Sequence, residues 1–535
     1  MVTLTREKQR LSLKAEVVLR VSLEQSLTAL VFPSKRQNFV DRRFEDFTQR
    51  RVTLVALMAI LHGSGQNVER MREQDRPEEV AASNERSLST LARAITLSQG
   101  HFALILARCN YQVCKEQMWQ RLQELTGVPL SELVLQESIT TLYTIIPAAG
   151  RGEQTSALSV FGLESVKAID QVLISTNQVR DEFRKSLTLP LVLWITDEVL
   201  QKLTRFAPDF KSWAATSIKF ELATDQLLAL WHQTTNELFA TILGSDLGEF
   251  LPNDVLNLAP GCRRRQELEV ALRDLHSRDV SLEPAHCATW QFILARDAFS
   301  YDQIDVAIEL SQQSLGFWRQ ELASRDWELK TRERASSPQP RRPLPYLEQV
   351  GVLLHHIGLS YCRQADLQPA ESRNNWEQAR QSFSDCLEVF AAAGRSDLVA
   401  QLTIQLGKVL QHLQSWTDLQ HLALESLAQP HTQNIPVLLA QAYGFLAAVA
   451  HAQSNWEEAK VLAQTALQIL EQSQSLQPQQ TLALVQRTRG EKSPSTPSEL
   501  AECLQMIPLS VAAQSAELRS YSLPQRNRHR GLYLL

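Results

Sequence analysis

Residues 108–115 lie where a phosphate-binding loop would lie, because they follow a short apolar run and end in Lys115. In such a loop, backbone amides at the start of a helix hold the phosphate oxygens and a lysine neutralises their charge. Glycines are needed there because other side chains keep phosphate away from the backbone. The segment reads Arg-Cys-Asn-Tyr-Gln-Val-Cys-Lys and contains no glycine. The sequence therefore predicts that a working phosphate loop is absent from this position.

Other candidates for catalysis or metal binding lack the required spacing. Glu164 follows an apolar run at the place of a Mg²⁺-binding acid, but Gly162 and Leu163 precede it instead of an aspartate. Asp197 and Glu198 follow another apolar run, where α/β folds bind ligands, although they suit the first turn of a helix better. Three residues of zinc-ligand type share no helix face: His276, His286 and Cys287. We therefore expect no catalytic residue, no metal site and no cofactor, with ATP and Mg²⁺ bound only if the chain is a nucleotide-dependent switch.

Strand and helix patterns alternate over residues 81–225, the region that contains most of these candidates. Apolar runs with the length of buried strands occupy residues 101–107, 158–162, 189–195 and 217–222, and residues 133–135 form a shorter one. Helical patterns lie between them, at residues 115–125, 165–185 and 197–206. This alternation predicts a mostly parallel sheet covered by helices.

Three tryptophans farther along the chain recur at a fixed interval of 40 residues, at Trp376, Trp416 and Trp456. The first and third open nearly the same phrase, Asn-Trp-Glu-Gln-Ala-Arg and Asn-Trp-Glu-Glu-Ala-Lys. A period of this size is typical of stacked helical hairpins, in which small residues let helices approach and aromatic rings fill the gaps. We expect the three indole rings to be buried between hairpins. The alternative is a plain helical bundle with coincidental spacing.

These repeats resemble tetratricopeptide repeats, in which a small residue and then an aromatic lie on the first helix and another aromatic opens the second. The residues that carry the resemblance are Gly358, Tyr361, Trp376, Ala379, Phe383, Gly407, Trp416, Trp456 and Ala459. The resemblance implies that these residues form the repeat core. It also implies a groove along the first helices that holds an extended peptide through His355, Gln401, Lys408, Gln411, Gln441 and His451.

A second resemblance rests on residues 102–110, Phe-Ala-Leu-Ile-Leu-Ala-Arg-Cys-Asn, and on residues 190–200, Pro-Leu-Val-Leu-Trp-Ile-Thr-Asp-Glu-Val-Leu. Both are similar to segments of bacterial, in particular cyanobacterial, proteins that join a STAND-type NTPase domain to tetratricopeptide repeats. The resemblance implies a P-loop NTPase-like α/β domain. The missing glycines imply that this domain is degenerate.

The expected regions follow from these patterns. They are a helical N-terminal region 1–80, a degenerate NTPase-like α/β domain 81–225, a helical bridge 226–285, tetratricopeptide-like repeats 286–474, and a flexible segment with partial helices 475–535. Residues 336–345 contain four prolines and form a linker within the repeats. The expected fold class is thus mostly α: an α/β NTPase-like domain with a parallel sheet, followed by a tetratricopeptide-like α–α superhelix.

Composition narrows the class of partner. The net charge of −5 creates no field that attracts nucleic acid or anionic lipid, and the longest apolar stretch, residues 52–61, has about half of the ~20 residues that a membrane helix needs. The seven cysteines are scattered without a Cys-x-x-Cys pair, and the first residues lack the apolar core of a secretory leader, which indicates the cytoplasm.

We therefore expect a non-catalytic scaffold or adaptor that binds a protein or peptide, with neither a membrane, a nucleic acid nor a small molecule as its partner. Two alternatives stay open. One is a STAND-like signalling regulator that responds to ATP. The other is DNA binding by the basic residue pairs within residues 1–80.

Overall fold

A computed structural model of the chain describes residues 77–149, 156–245, 247, 250–333 and 346–472. The expectations for residues 1–76, for the Pro-rich residues 336–345 and for residues 475–535 lie outside this part. The described residues are mostly helical and contain a parallel sheet of five strands. At this level the predicted fold class is confirmed.

Residues 77–219 form the α/β module. Its strands are β1 (Ala103–Arg108), β2 (Leu130–Val134), β3 (Ala157–Phe161), β4 (Pro190–Ile195) and β5 (Ile218–Lys219). Its helices are α1 (Pro77–Leu97), α2 (Gln112–Thr126), α3 (Ile145–Ala149), α4 (Ile169–Gln178), α5 (Arg180–Ser186), α6 (Asp197–Phe206) and α7 (Pro208–Ser212), and a 3₁₀ turn covers Leu163–Ser165.

The sheet has the strand order β2-β3-β4-β1-β5, and every neighbouring pair is parallel. All six residues of β4 are apolar and buried, as expected for a strand covered on both faces. Strands β1, β3 and β4 coincide within a few residues with the apolar runs that the sequence shows. The prediction of a mostly parallel sheet is therefore confirmed.

Strand β5 is shorter than the pattern over residues 217–222 predicted. The reason is a side chain on α1: Asn84 accepts a hydrogen bond from the backbone N–H of Glu221 (3.1 Å) and donates one to its carbonyl (2.8 Å). The backbone groups that would have extended the strand are thereby satisfied without a neighbouring strand. Helix α1 starts at Pro77, ahead of the expected boundary at residue 81, and packs against β1, β5 and α2.

Helices make up the rest of the described chain. They are α8 (Thr224–Leu243), α9 (Arg263–Ser277), α10 (Pro284–Ser300), α11 (Ile304–Glu333), α12 (Leu347–Leu367), α13 (Ser372–Ala392), α14 (Ser396–Leu413), α15 (Trp416–Ala428), α16 (Pro430–Asn434), α17 (Pro436–Ala452) and α18 (Trp456–Gln472). Four consecutive pairs pack as hairpins: α10–α11, α12–α13, α14–α15 and α17–α18.

The hairpin turns explain the recurring tryptophan phrase. In the turns before α15 and α18 the chain passes through a left-handed residue, Gln414 or Ser454. The next residue donates its N–H five residues back, from Ser415 to the Leu410 carbonyl and from Asn455 to the Ala450 carbonyl, each at 2.9 Å. This hydrogen bond is the Schellman ending of a helix. At Trp416 and Trp456 the phrase thus marks the end of one helix and the start of the next, whereas Trp376 lies within α13.

Phenylalanine rings, packed on glycines, fill the gaps between these helices. A Cβ atom built on Gly351 would lie 2.5 Å from the ring of Phe390, and one on Gly358 would lie 2.7 Å from the ring of Phe383. On α14, a Cβ on Gly407 would lie 2.3 Å from the ring of Phe445 on α17. These distances are far below an ordinary carbon–carbon contact, so only glycine lets the rings sit where they do.

The tryptophans do not have the buried position expected for them. Trp376 and Trp416 are half-buried, and Trp456 is 41 % exposed. Because Trp416 and Trp456 begin their helices, they lie at the ends of the hairpins and not between them. Among the other expected core residues, Ala379, Phe383 and Ala459 are fully buried, Gly358 and Gly407 are buried, and Tyr361 is half-buried.

Candidate functional site

The side chains of the suspected phosphate loop meet at one edge of the sheet. Strands β1 and β4 are parallel neighbours that end together at Arg108 and Ile195, and the N–H of Cys109 bonds the Ile195 carbonyl at 2.9 Å. Residues that follow both strands therefore lie at the same edge, which is where open α/β sheets bind ligands. We call residues 108–115, Glu164 and Asp197 the sheet-edge site.

Lys115 is paired with a carboxylate inside the protein. Its ammonium group contacts the Oε1 atom of Glu164, and the two side chains are only 3 % and 6 % exposed. The second oxygen, Oε2 of Glu164, is buried and has no hydrogen-bond partner among the described residues. A charge pair with so little solvent is stable only while both members are present.

The chain direction after β3 explains how Glu164 reaches Lys115. Gly162 has a φ of +85°, and a Cβ atom there would lie 3.0 Å from the carbonyl oxygen of Leu135. A glycine is therefore needed for the chain to turn into the 3₁₀ segment that carries Glu164. Gly162 and Leu163 had argued against an acid at this place, yet they bring the carboxylate to the lysine.

The start of α2, where a phosphate loop would bind phosphate, is occupied by a carboxylate from α9. The backbone N–H of Gln112 donates to Oε1 of Glu267 at 3.0 Å. One residue earlier, the Tyr111 hydroxyl donates to Oδ2 of Asp274 at 2.6 Å. A carboxylate at a helix N-terminus satisfies the same amide and dipole that would otherwise attract phosphate.

Burial governs the ionisation of these acids. Desolvation raises the pKa of Glu267, although the Gln112 amide and nearby Arg263 work against it. Desolvation likewise raises the pKa of Asp274, against the hydrogen bond from Tyr111. The contacts between α9 and the sheet-edge site therefore involve carboxylates that burial makes easier to protonate.

Asp197, at the start of α6, binds Arg108 at the end of β1 and Asn110 in the β1–α2 turn. Its N–H donates to the Asn110 side chain at 2.8 Å, and its carboxylate accepts from the Asn110 amide at 3.1 Å. Its Oδ1 atom lies 2.7 Å from Nε of Arg108. Asp197 and Glu198 thus lie in the first turn of a helix, as expected, and that helix is capped by Thr196.

The contacts of the sheet-edge site position helices, and they pair its charged groups with other residues of the chain. Lys115 holds Glu164, Arg108 holds Asp197, and the Gln112 amide holds Glu267. A phosphate group could reach the start of α2 only after the carboxylate of Glu267 had moved away. In the described arrangement the site joins α9 to the α/β module.

The groove predicted along the first helices of the hairpins is partly filled by the protein's own chain. Leu247 and residues 250–258, which lie between α8 and α9 and which we call the 247–258 segment, contact α10, α12 and α14. The N–H of Leu247 donates to Oε1 of Gln401 at 3.1 Å. The ring of Phe250 packs against Phe299, with ring centres 4.4 Å apart, and against His356 at 5.7 Å.

Arg296 on α10 binds this segment through its guanidinium group. Its Nε atom donates to the Asn253 side chain at 3.0 Å, its Nη2 atom donates to the Leu251 carbonyl, and its guanidinium lies over the Phe250 ring. Asn253 in turn donates to Oδ1 of Asp297 at 2.7 Å. Complete burial lowers the pKa of Arg296 to about 9. Such a fully bonded buried network indicates a permanent part of the fold.

The six residues predicted to face a groove are therefore in different environments. His355 and Gln441 are buried, 5 % and 2 % exposed, and cannot contact an external peptide. Burial lowers the pKa of His355 to about 4, so its ring is neutral. Gln401 binds Leu247 of the same chain. Lys408, Gln411 and His451 remain half-exposed.

Aromatic and histidine side chains gather at the turn ends of the last three hairpins. The indole of Trp376 stacks on the imidazole of His412, with ring centres 4.1 Å apart and planes within 4°. In the last hairpin, the ring of His451 meets the indole of Trp456 edge-on at 4.8 Å. We call Trp376, His412, Trp416, His451 and Trp456 the tryptophan edge. Gln411 adjoins His412 in sequence, and Lys408 lies one helical turn before it.

Sequence reasoning missed the residues that close the two candidate sites: Glu267, Asp274, Asn253 and Arg296. Each makes its decisive contact with residues more than 40 positions away. No motif announced them, because their role depends on tertiary packing. A weak signal is present in the three consecutive arginines at residues 263–265, because Arg265 is 3 % exposed and paired with Asp297 at 3.1 Å.

Further properties of the described residues bear on function. They contain no group of three or more His, Cys, Asp or Glu side chains placed to hold a metal ion. No helix in this part is long and apolar enough to cross a membrane. His286, one of the three zinc-ligand types noted in the sequence, is buried and packs against Trp231 and His232. The chain matches no family model and no curated protein, so its function has to be inferred from the geometry.

Proposed function

We propose that this chain is a non-catalytic protein–protein interaction scaffold of the cytoplasm, with tetratricopeptide-like repeats that bind a protein or peptide partner. The observation that carries the proposal is the tryptophan edge. Three tryptophans at equal intervals keep part of their surface in solvent although large apolar side chains usually bury it. Tryptophan is enriched among residues that dominate binding energy in protein interfaces.

The arrangement around the edge supports this use. Stacking on His412 holds the indole of Trp376 in a fixed orientation, so little side-chain entropy is lost on binding. Lys408 and Gln411 lie beside it on α14 and supply polar groups for the rim of an interface. The groove positions farther along the first helices are closed by the 247–258 segment or by burial. The partner surface that we propose is therefore the turn edge and not the whole groove.

The sheet-edge site supports a structural role for the α/β module. Glu164 binds the ammonium group of Lys115, and Glu267 accepts from the Gln112 amide, so both groups that could hold a phosphate are engaged. In this proposal the module is NTPase-like in shape, fixes α9 and the repeats behind it, and offers a second docking surface.

The test is affinity capture from the native cell with the full chain, followed by mass spectrometry. Three chains are compared: the unaltered protein, a Lys408→Ala/Gln411→Ala/Trp456→Ala variant, and a Leu97→Ala control. Leu97 is 74 % exposed at the end of α1, so its loss removes a similar exposed apolar group elsewhere. We expect at least one partner to be lost with the triple variant and kept with the control. If every partner is retained by the triple variant, the tryptophan edge is not the binding surface.

A nucleotide-dependent regulator is the second candidate, and one observation favours it. Lys115 in the first turn of α2 and Glu164 after β3 meet at the ligand-binding edge of a parallel sheet. ATP would then displace Glu267 and release α9, which changes how the repeats are held.

Calorimetry of the full chain with MgATP tests this candidate, together with a Glu267→Gln variant that removes the competing charge. Heat of binding, or a rise in melting temperature that is larger in the variant, would favour the regulator. No heat and no thermal shift in either chain at millimolar nucleotide would end it.

A further inference from the structure

Two cysteines enclose the β1–α2 turn of the sheet-edge site. Cys109 directly follows β1, and Cys114 lies in the first turn of α2. Both are 1 % exposed, and they lie close enough for each thiol to affect the pKa of the other. The Sγ atom of Cys114 lies 3.9 Å from the Glu221 carbonyl. The Sγ atom of Cys109 also lies 3.4 Å from the Tyr111 carbonyl. The turn thus brings two reduced sulfurs together across five positions of sequence.

One of the two thiols borders a cavity. The space between α1, α2 and the start of α8 measures about 190 Å³, and Cys114 lines it together with Asn84 and Met118. A site needs only roughly 10–15 Å³ of such volume to hold one water molecule. A small oxidant the size of hydrogen peroxide therefore fits in the cavity that Cys114 lines.

The surroundings also favour a shared thiolate. Burial opposes ionisation of Cys109, but the hydrogen bond from Cys114 and the charge of Lys115 lower its pKa below the usual value. Its neighbour behaves oppositely, because the hydrogen bond with Cys109 and burial raise the pKa of Cys114. The pair therefore loses its first proton more readily than its second, as coupled groups do. A thiolate is the reactive form of cysteine.

We propose that Cys109 and Cys114 form a site of reversible oxidation, in which a peroxide converts the two thiols into an intramolecular disulfide. In the first step, one thiolate attacks the O–O bond, which gives a sulfenic acid on that cysteine and releases hydroxide. In the second step, the other thiol attacks the sulfenic sulfur, so that the S–S bond forms and the OH group leaves as water with the thiol proton. The peroxide is reduced, the two sulfurs are oxidised, and a dithiol reverses the reaction.

The position of the bond gives it a consequence for the molecule. Between the two cysteines lie Asn110, Tyr111 and Gln112, whose contacts join the turn to α6 and α9. The proposed disulfide would therefore act on the connection between the α/β module and the helices that follow. The proposal does not depend on the scaffold function and can fail or hold without it.

Oxidation of the folded full chain, followed by denaturation and digestion with trypsin, tests the proposal. Arg108 and Lys115 are cleavage sites, so the peptide 109–115 contains both cysteines and no others. The chain is treated with increasing hydrogen peroxide, free thiols are alkylated in denaturant, and the peptide is weighed. We expect this peptide to become lighter by two hydrogen atoms, to escape alkylation, and to return to two alkylated thiols after treatment with a dithiol.

Half-buried Cys262 and Cys287 serve as internal references in the same digest. The disulfide should form at peroxide doses that leave most of these two thiols unmodified. The proposal is overturned if peptide 109–115 retains two free thiols when Cys262 and Cys287 are oxidised, or if its cysteines carry only separate sulfinic acids. Cys109→Ser and Cys114→Ser variants that still lost two hydrogen atoms in this peptide would also contradict it.

Discussion

Replacing Gly407 by alanine should loosen the contact between α14 and α17, although alanine is the better helix former. The added methyl carbon would lie 2.3 Å from Cε2 and 2.4 Å from Cζ of Phe445. Nonbonded carbon atoms are normally ~3.5–4.0 Å apart, so the ring would have to move by roughly 1 Å. Phe445 is 3 % exposed, and its movement displaces other packed side chains.

Two opposing effects set the size of the change in stability. Alanine in a helix interior is favoured over glycine by roughly 0.5–1 kcal/mol. Overpacking of a well-filled core costs about 1–3 kcal/mol, and the close contact at Gly407 places this variant near the upper end. The net result is a destabilisation of about 2 kcal/mol. Gly316 on α11 provides the control, because a Cβ atom there would meet nothing within 4 Å, so Gly316→Ala should stabilise its helix by about 0.5–1 kcal/mol.

Hydrogen exchange measured by mass spectrometry suits this comparison, because a chain of several packing units need not unfold in one step. We expect faster exchange in the amides of α14 and α17 for Gly407→Ala and equal or slower exchange in α11 for Gly316→Ala. The double variant Gly407→Ala/Phe445→Leu, in which the ring is replaced by a smaller side chain, should recover part of the loss. If Gly407→Ala slows exchange in α14 as its control does in α11, the glycine–phenylalanine packing does not have the role that we give it.

Other predictions follow from buried charges and rings. Lys115→Met leaves the Glu164 carboxylate buried without a partner and should lower the free energy of unfolding by about 3–5 kcal/mol. The double variant Lys115→Met/Glu164→Leu should recover most of the thermal stability. Equal melting temperatures for the two variants would contradict a buried ion pair. Burial lowers the pKa of His355 to about 4, whereas the same ring in the unfolded chain has a pKa of about 6.5. The unfolded chain therefore takes up a proton between pH 7 and pH 5 while the folded chain does not. The free energy of unfolding should fall by about 2 kcal/mol over this range. His355→Gln should weaken that pH dependence in denaturant titrations, and an unchanged dependence would count against the assignment. Asn253→Ala removes a hydrogen-bond partner from buried Arg296 and should lower the local stability of the 247–258 segment by about 2–4 kcal/mol. Proteases should then cleave the segment faster. A cleavage rate equal to that of the unaltered chain would show that Arg296 holds the segment without Asn253.

The sequence was sufficient for the local elements of the α/β module. Strands β1 and β4 are continuous apolar runs between polar residues, and their length fits buried strands better than helices. Their alternation with helical patterns was enough to predict a parallel sheet. The exception, β5, depended on one side chain, Asn84, that lies 137 positions away from its backbone partner.

The functional parts were harder to predict because they depend on contacts between distant segments. A 40-residue period located the hairpins, but it could not show that Phe383 and Phe445 would fill the gaps and leave the tryptophans at the turns. The six residues predicted to face a groove lie on the first helices of their hairpins. Nothing in their spacing could show that the 247–258 segment of the same chain, and not a partner peptide, would contact Gln401 and His356. Similarly, the absence of glycine after β1 predicted that no phosphate loop lies there, but nothing in the sequence predicted that the Gln112 amide would donate to Glu267.

The 247–258 segment also constrains the order in which the chain can mature during synthesis. Leu247 and its partner Gln401 are 154 positions apart. At a translation rate of about 5–20 residues per second, some 8–30 s pass between the synthesis of the two residues. For most of that time Phe250 lacks the contact with His356 on α12, and α14 is absent until the end of it. The nascent protein therefore carries an apolar stretch that chaperones could recognise until α12 is made, and the segment completes its contacts when α14 follows.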